Sequence, residues 1–218
     1  RPFGGCAIFC RQSLSTKITL IDTGSRRVCA IRCIFDFGCL LLVNVYMPYE
    51  NDDFSLDEFK LQLSVVDNII EQNNNCHVIL GGDFNVDLAR NWSHTAILNE
   101  FYSNNFLYPT IRHASNEIDY SYQFCMKRFN AVDHFILSDP LFKESVNKVT
   151  VLHEVDNTSD HDPIFIELLL DVTHFGACDR QFVSRPAWHK AKAPDLCAYA
   201  EVLRLKLAAI NIPTEVVH

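Results

Sequence analysis

The 218-residue sequence has no apolar run that approaches the ~20 residues of a membrane-spanning helix. It also shows no signal peptide, no internal repeat and no low-complexity tract. With 48% apolar residues and 16 Phe, the chain can bury a large core, so wholesale disorder is not expected. We therefore expect a folded intracellular protein that has no membrane partner.

The cysteines are scattered along the chain. There are nine of them, an odd number, with no Cys-x-x-Cys pair, and most fall within apolar, strand-like runs. This pattern predicts buried free thiols in a reducing compartment. A zinc site has little support.

Basic residues are scarce in the middle of the chain. Residues 49–170 carry 7 basic and 20 acidic side chains, whereas residues 1–48 have a net charge of +4 and residues 171–218 of +1. Broad non-specific binding of nucleic acid requires many phosphates to be neutralised by the protein, which an acidic middle disfavours. The same charge suits a metal-dependent site, where a cation faces the phosphate.

Apolar patterning predicts strands alternating with helices. A capping-box pattern, Ser55-Leu56-Asp57-Glu58, followed by apolar residues at helical spacing, predicts the first helix. A hairpin is expected from two apolar runs around residues 125–130. The predicted strands are 5–10, 28–35, 39–46, 77–80, 120–124, 131–137 and 164–170, and a second helix covers 94–104.

This alternation predicts a layered α/β sandwich. Apolar periodicity becomes weak after about Asp171. We therefore expect one domain over residues 1–170 and a linker with an amphipathic helix over 171–218. Leu196, Tyr199, Leu203 and Ile210 share one face of that helix.

The segment Gly81-Gly82-Asp83-Phe84-Asn85 follows a short apolar strand. Two residues apart on an extended backbone, Asp83 and Asn85 point to the same side. Asp83 is therefore a candidate base for water, and Asn85 a candidate to orient that water or to donate to a phosphate oxygen. The alternative is an ordinary turn, because Gly, Asp and Asn are turn residues.

A second acid-rich segment, Ser159-Asp160-His161-Asp162-Pro163, precedes a buried strand. Asp160 is a candidate metal ligand and His161 a candidate donor to phosphate, although a lone His is more often structural. Asp133 interrupts an apolar strand, where a carboxylate is costly to bury without a partner, so we expect it to orient His161. Tyr46 ends a strand before a Pro and is either a site residue or a core aromatic.

In this order, the motifs around Tyr46, Asp83, Asp133 and His161 resemble those of the endonuclease/exonuclease/phosphatase superfamily, over residues 4–170. The resemblance implies a deoxyribonuclease I-like sandwich of two mixed β-sheets flanked by helices. Asp83 would align the attacking water with Asn85 beside it, and Tyr46 would contact the phosphate or leaving group. His161, oriented by Asp133, would bind the scissile phosphate, and Asp160 would lie near Mg²⁺ or Mn²⁺. The segment around Asp119 mimics the Asp133 motif but lies too far from His161 for the family's spacing.

The flanks of these motifs, together with residues 186–191, are similar to the endonuclease domain of LINE-type non-LTR retrotransposon polyproteins. That similarity implies a double-stranded DNA substrate, a reverse transcriptase domain in the full-length polyprotein and a nuclear location. It also implies that the hairpin tip 125–130, with Lys127 and Arg128, meets DNA. The alternative is that these two basic side chains are simply solvated.

The family's first two motifs, an Asn and a metal-binding Glu, should precede the first strand. The sequence starts at Arg1 rather than Met, so we expect a piece of a longer protein, without N-terminal strands and with impaired activity. Glu50 and Glu58 follow the Tyr46 strand and cannot replace that Glu.

The expected activity is Mg²⁺-dependent hydrolysis that nicks one DNA strand and leaves a 3′ hydroxyl to prime reverse transcription. Two alternatives stay open. One is another phosphodiesterase or phosphatase of the superfamily, acting on lipid or inositol phosphates. The other is a catalytically dead retroelement remnant.

Overall fold

The computed structural model describes residues 5–11, 17–35, 38–49, 53–124, 128–170 and 193–208. The chain divides into two compact units, residues 1–180 and 181–218. In chain order the elements are β1 Lys17–Ile21, β2 Val28–Phe35, β3 Gly38–Tyr46, α1 Asp53–Gln72, β4 His77–Asp83, α2 Ser93–Asn105, β5 Leu107–Pro109, β6 Asn116–Glu117, β7 Tyr122–Phe124, β8 Arg128–Asn130, β9 Asp133–Ser138, β10 Val146–Val151, β11 Ile164–Leu168 and α3 Ala193–Ala208. None of the described helices is both long and apolar enough to cross a lipid bilayer.

The first unit is built on two mixed sheets. The larger has six strands in the order β1-β2-β3-β4-β9-β5, in which β3 and β4 are parallel and the other pairs antiparallel. The smaller has the order β11-β10-β6, and β7 and β8 form a separate hairpin. The predicted α/β architecture with two mixed sheets is confirmed.

Each face of the larger sheet buries its own apolar cluster. On one face, Val43 and Val45 of β3 pack with Phe59 and Val66 of α1 and with Leu98 of α2. The second cluster joins this sheet to the smaller one, through the residues Ile31, Leu40, Leu137, Ile166 and Leu168. The helices therefore cover one face, and the smaller sheet packs against the other.

The predicted strand at residues 5–10 is wrong. The described segment 5–11 has no strand pairing, and the Ala7 carbonyl accepts its hydrogen bond from the Asn44 side chain at 3.1 Å. The edge strand is instead β1, which pairs with β2 and leaves Leu20 77% exposed. An apolar run does not by itself form a strand, because strand formation needs a partner edge with free backbone groups.

Two other local predictions need correction. The predicted hairpin partners 120–124 and 131–137 do not pair: β7 pairs with β8, inside the expected tip, while β9 lies between β4 and β5. Helix α1 begins at Asp53, so Ser55 lies inside its first turn instead of capping it. The predicted helix 94–104 is confirmed as α2.

The prediction of buried free thiols holds for Cys33 but fails for the other described cysteines. Cys39 and Cys76 form a disulfide, because the parallel register that pairs Leu40 with His77 brings the preceding residues together. Among the described free cysteines, Cys33 is buried, but Cys10 and Cys197 are exposed.

The second unit is described only by α3, which covers part of the expected amphipathic helix. Tyr199 and Leu203 are exposed there. The Leu196 side chain, Ile210, and segments 175–185 and 186–191 lie outside the described residues. The predicted division at residue 171 stays a prediction.

Candidate active site

Three candidate residues meet at one edge of the larger sheet. Parallel pairing sets Tyr46 of β3 opposite Asp83 of β4, and antiparallel pairing sets Asp83 opposite Asp133 of β9. Residues directly opposite one another on neighbouring strands present their side chains on the same face of a sheet. The register thus lines up one phenol and two carboxylates across three strands.

Gly82 allows β4 to reach this edge. Its φ is +135°, and a Cβ atom added there would lie 2.1 Å from the Val45 carbonyl oxygen. Only glycine tolerates both that backbone conformation and that approach. The glycine before Asp83 is therefore a requirement of the packing between β3 and β4.

Asn85 holds the Asp83 carboxylate. With φ at 52°, it folds back so that its backbone N–H donates to Asp83 Oδ1 at 2.8 Å. Its side-chain Nδ2 donates to the Met47 carbonyl at 2.9 Å and to Asp83 Oδ2 at 3.2 Å. In this arrangement Asn85 orients Asp83, and its expected contact with water or phosphate stays a prediction.

His134 fixes the turn that follows Asp83. Its ring is fully buried, and burial lowers the pKa of its imidazole, so the neutral ring donates from Nε2 to the Val86 carbonyl at 2.7 Å. Buried Phe84 packs against the His134 ring, with 5.8 Å between the two ring centroids. The loop that carries Asn85 is thus anchored to β9.

His161 and Asp133 form a hydrogen-bonded pair. His161 Nδ1 lies 2.9 Å from Asp133 Oδ2, and the Tyr122 ring packs on the imidazole at 4.9 Å between centroids. The hydrogen bond to Asp133 raises the pKa of His161 above its ordinary 6.5, so the imidazolium persists to higher pH. The contact expected from the sequence is present, whereas a catalytic role for the pair stays a prediction.

Asp83 is the carboxyl of the site whose ionised form is destabilised by its surroundings. Burial, followed by the neighbouring Asp133 carboxylate, raises the pKa of Asp83 from 3.8 to about 6. Asp83, Asp133 and His161 each offer a ligand atom, all within 4.8 Å of one another. Two close carboxylates fit a hard divalent cation such as Mg²⁺ or Mn²⁺, because the cation would offset the repulsion that raises this pKa.

These groups line a cleft of about 910 Å³. Tyr46 and Asn85 line it too, and Asp160 lies at its exposed rim, outside the cluster of three ligand atoms. Its aromatic walls are Tyr46, Tyr49, Trp92, Tyr122 and Phe124. Among the described lining residues, Arg90 is the only Lys or Arg. A phosphate entering the cleft would meet more carboxylates than fixed cations, which again favours a bound metal ion.

Ser121 is a supporting residue that sequence reasoning missed. Fully buried, its Oγ accepts hydrogen bonds from the backbone N–H groups of Val132 at 3.2 Å and Asp133 at 3.0 Å. Its carbonyl accepts from the Asp162 N–H at 2.8 Å. Ser121 thus supports both the Asp133 strand and the His161 loop. Serine is common in loops, so the sequence gives no signal for this role.

Asp119, which the spacing rejected as the partner of His161, contacts His153 instead, at 3.0 Å. Lys127 and the Arg128 side chain lie outside the described residues, so their expected contact with DNA stays a prediction.

Comparison with known proteins gives a family and a fold. Residues 40–165 match the family model described as Endonuclease-reverse transcriptase. Comparison with curated protein sequences gives no match.

Three solved structures illustrate the similarity in fold. The endonuclease domain of TRAS1, a telomere-specific non-LTR retrotransposon, has a TM-score of 0.59 and 13% identity, over 72% of this chain and 69% of that one. The 3′ phosphatase NExo from Neisseria, bound to product DNA hairpin, has a TM-score of 0.54 and 15% identity, over 72% and 71%. The Xenopus laevis APE2 catalytic domain has a TM-score of 0.51 and 18% identity, over 66% and 56%. The family match and these folds confirm the resemblance to the deoxyribonuclease I-like endonuclease/exonuclease/phosphatase superfamily.

Proposed function

The chain belongs to the endonuclease-reverse transcriptase family, and from that premise we propose that it is a divalent-metal-dependent endonuclease that nicks double-stranded DNA. The observation that carries the proposal is the arrangement of Asp83 beside the Asp133–His161 pair at the floor of one cleft. It unites a base, a proton-bearing donor and cation ligands, which are the groups that phosphodiester hydrolysis needs.

Asp83 acts as the base in this proposal. With its pKa at about 6, the carboxylate is mostly ionised at pH 7 to 8 yet binds a proton more tightly than a solvent-exposed Asp. Asn85 fixes both of its oxygens. A water aligned on Asp83 would attack phosphorus and transfer one proton to the carboxylate, and the displaced 3′ oxygen of the cleaved strand would take a proton from solvent to become the 3′ hydroxyl.

The Asp133–His161 pair acts on the phosphate. His161 Nδ1 faces Asp133, so its Nε2 is left to donate to a non-bridging phosphate oxygen. Because the pKa of His161 is raised, this donor stays protonated where Asp83 is already ionised. Tyr46, which lines the same cleft, would contact the phosphate or the leaving oxygen.

The metal would be Mg²⁺, with Mn²⁺ as the alternative. Asp133 and Asp160, two of the four carboxylates that line the cleft, would hold it, while Asp83 stays available as the base. When bound, it would supply positive charge that offsets the charge of the phosphate. Because the lining is acidic, a bound metal ion would be the main source of positive charge in the cleft.

The choice of DNA as substrate is supported by relatives. One structural neighbour is a retrotransposon endonuclease domain, and another is bound to a DNA hairpin. We propose that residues 171–218 lead toward a reverse transcriptase domain of a LINE-type polyprotein, and that the protein acts in the nucleus.

Nicking of supercoiled plasmid tests the proposal. The 218-residue protein should convert supercoiled to open-circular DNA with Mg²⁺, and EDTA should stop the reaction. His161→Ala should lower the rate at least about 100-fold. Lys143→Ala is the control. Among the described residues the Lys143 side chain pairs only with Asp139, so its loss should leave the rate unchanged.

Equal nicking by His161→Ala would identify a contaminating nuclease and contradict the proposal. Folded protein that nicks no DNA but hydrolyses a 3′-phosphate or an inositol phosphate would favour the alternative of another phosphatase. Folded protein with neither activity would favour a catalytically dead remnant.

A further inference from the structure

A second histidine, His153, lies between two carboxylates away from the cleft lining. Its Nδ1 is 2.8 Å from Asp162 Oδ2, and its Nε2 is 3.0 Å from Asp119 Oδ1. The Tyr120 ring covers the imidazole at 4.6 Å between centroids. Asp119, His153 and Asp162 are called the clamp below.

The contacts determine the charge of the clamp. A neutral imidazole has one N–H donor, so one ring nitrogen would turn its lone pair toward a carboxylate oxygen. Hydrogen bonds to both oxygens require the imidazolium, which carries a proton on each nitrogen. Asp119, Asp162 and Tyr120 are the ionisable groups that the described contacts set against this ring. The clamp is therefore complete only while His153 is protonated.

The clamp connects directly to the loop that carries His161. Asp162 is the next residue along and is buried, and Asn157 Nδ2 donates to its Oδ1 at 2.7 Å and to the His161 carbonyl at 2.8 Å. The Asp162 N–H donates to the Ser121 carbonyl. His153 thus ties the His161 loop to the segment 119–121.

That segment is also the support of Asp133. Ser121 Oγ accepts from the Asp133 N–H at 3.0 Å, only two residues beyond Asp119. Movement of segment 119–121 relative to the His161 loop would change the separation of His161 and Asp133. The clamp joins the two supports on which that hydrogen bond depends.

We propose that His153 is a positioning residue for phosphodiester hydrolysis, which holds His161 in register with Asp133 through Asp162 and Asp119. The inference rests on the proposed function for its effect on rate, but the clamp itself can be tested without activity. His153 would not touch the DNA at the scissile bond, since its ring is not among the residues that line the cleft.

Kinetics provide the first test. His153→Ala should lower kcat for plasmid nicking about 10-fold and leave KM unchanged, because a partly exposed charged hydrogen bond is lost outside the substrate cleft. His153→Gln, whose side chain can donate to one carboxylate only, should lose less. Lys148→Ala is the matched control: it breaks the nearby Lys148–Glu117 pair, at 3.2 Å, without touching the clamp. An unchanged kcat in His153→Ala, or an equal fall in the control, would overturn the proposal.

Amide hydrogen exchange provides a test that needs no catalysis. The N–H groups of Asp162 and Gln123, which bond to Ser121 and Asp160 across the two segments, should exchange about 10-fold faster in His153→Ala. His153→Gln serves if the Ala variant does not fold. In the wild type their protection should fall as pH rises from 6 to 9, after correction for intrinsic exchange.

The two tests separate the possible failures. If the wild type nicks no DNA but the His153 variants show these exchange changes, the proposed function is refuted and the clamp is retained. Exchange at Asp162 that is insensitive to both His153 variants would refute the clamp, whatever the nicking rate.

Discussion

Replacing Asp83 by Asn removes the group whose ionisation the fold opposes most clearly. The carboxyl is largely buried, faces Asp133 across the β4–β9 pair, and has its pKa raised from 3.8 to about 6. Asn keeps nearly the same shape but cannot ionise. We expect Asp83→Asn to abolish nicking and to stabilise the protein at neutral pH.

The raised pKa gives the size of the effect. The difference between 3.8 and about 6, at about 1.4 kcal/mol for each pH unit, is about 3 kcal/mol in the free energy of unfolding. Against this, an Asn at position 83 would lose the hydrogen bond from Asn85 Nδ2, worth about 1 kcal/mol. The net gain at pH 8 should therefore be about 2 kcal/mol.

The pH dependence distinguishes this cause from others. A carboxyl whose folded pKa is raised stabilises the protein fully below pH 3.8, and that stability is lost as pH rises through about 6. The lost hydrogen bond does not depend on pH. The free energy of unfolding of the variant exceeds that of the wild type by an amount called the gap below. This gap should therefore widen by about 1.4 kcal/mol from pH 5 to pH 8.

Urea unfolding of both proteins in EDTA, at pH 5, 6, 7 and 8, measures this gap. Glu154→Gln is the matched control, because it removes one exposed carboxylate and should keep a constant gap across the series. A gap for Asp83→Asn that stays constant or narrows as pH rises would refute the assignment of Asp83 as a buried, repelled carboxylate.

Three further predictions concern the stability of the first unit. Ser121→Ala should lower the free energy of unfolding by about 2 kcal/mol, since two backbone N–H groups lose their acceptor; a loss below about 0.5 kcal/mol in urea unfolding would contradict the shared support. Reduction of the Cys39–Cys76 disulfide, which closes a sequence separation of 37 residues, should lower it by about 4 kcal/mol; identical urea curves with and without reductant would argue against the bond. Gly82→Ala should cost more than about 3 kcal/mol or prevent folding, whereas Gly24→Ala, with φ of +63° and open space around it, should cost about 1 kcal/mol; equal losses in the two variants would contradict the close approach to Val45.

The central strands could be predicted because their signals are local. Strands β2 and β3 fall within a residue of the predicted 28–35 and 39–46, and the strand predicted at 77–80 extends to Asp83. Apolar runs bounded by turn residues identify such strands, since both of their faces are buried. The acid-rich segments were found for a related reason: Asp83 and Asp133 occur where apolar strands would otherwise continue.

The edges could not be predicted, because pairing partners are chosen across the fold. Nothing in the sequence near β8 shows that it pairs with β7, or that β9 instead inserts between β4 and β5. The disulfide likewise depends on the register of parallel strands. Ser121 and His153 escaped notice because their contacts span distant positions, such as the 34 residues between His153 and Asp119, and their residue types are ordinary in loops.

The place of β9 in the sheet decides when the protein can become active. Asp83 is synthesised with β4, but its neighbour in the sheet arrives only with β9, and His161 follows β10. Contacts between such distant segments form late, because a long loop must close before they gain stability. A growing or truncated chain that ends before the His161 loop would therefore contain Asp83 but no assembled site. The candidate site would thus be complete only when most of the first unit has been made.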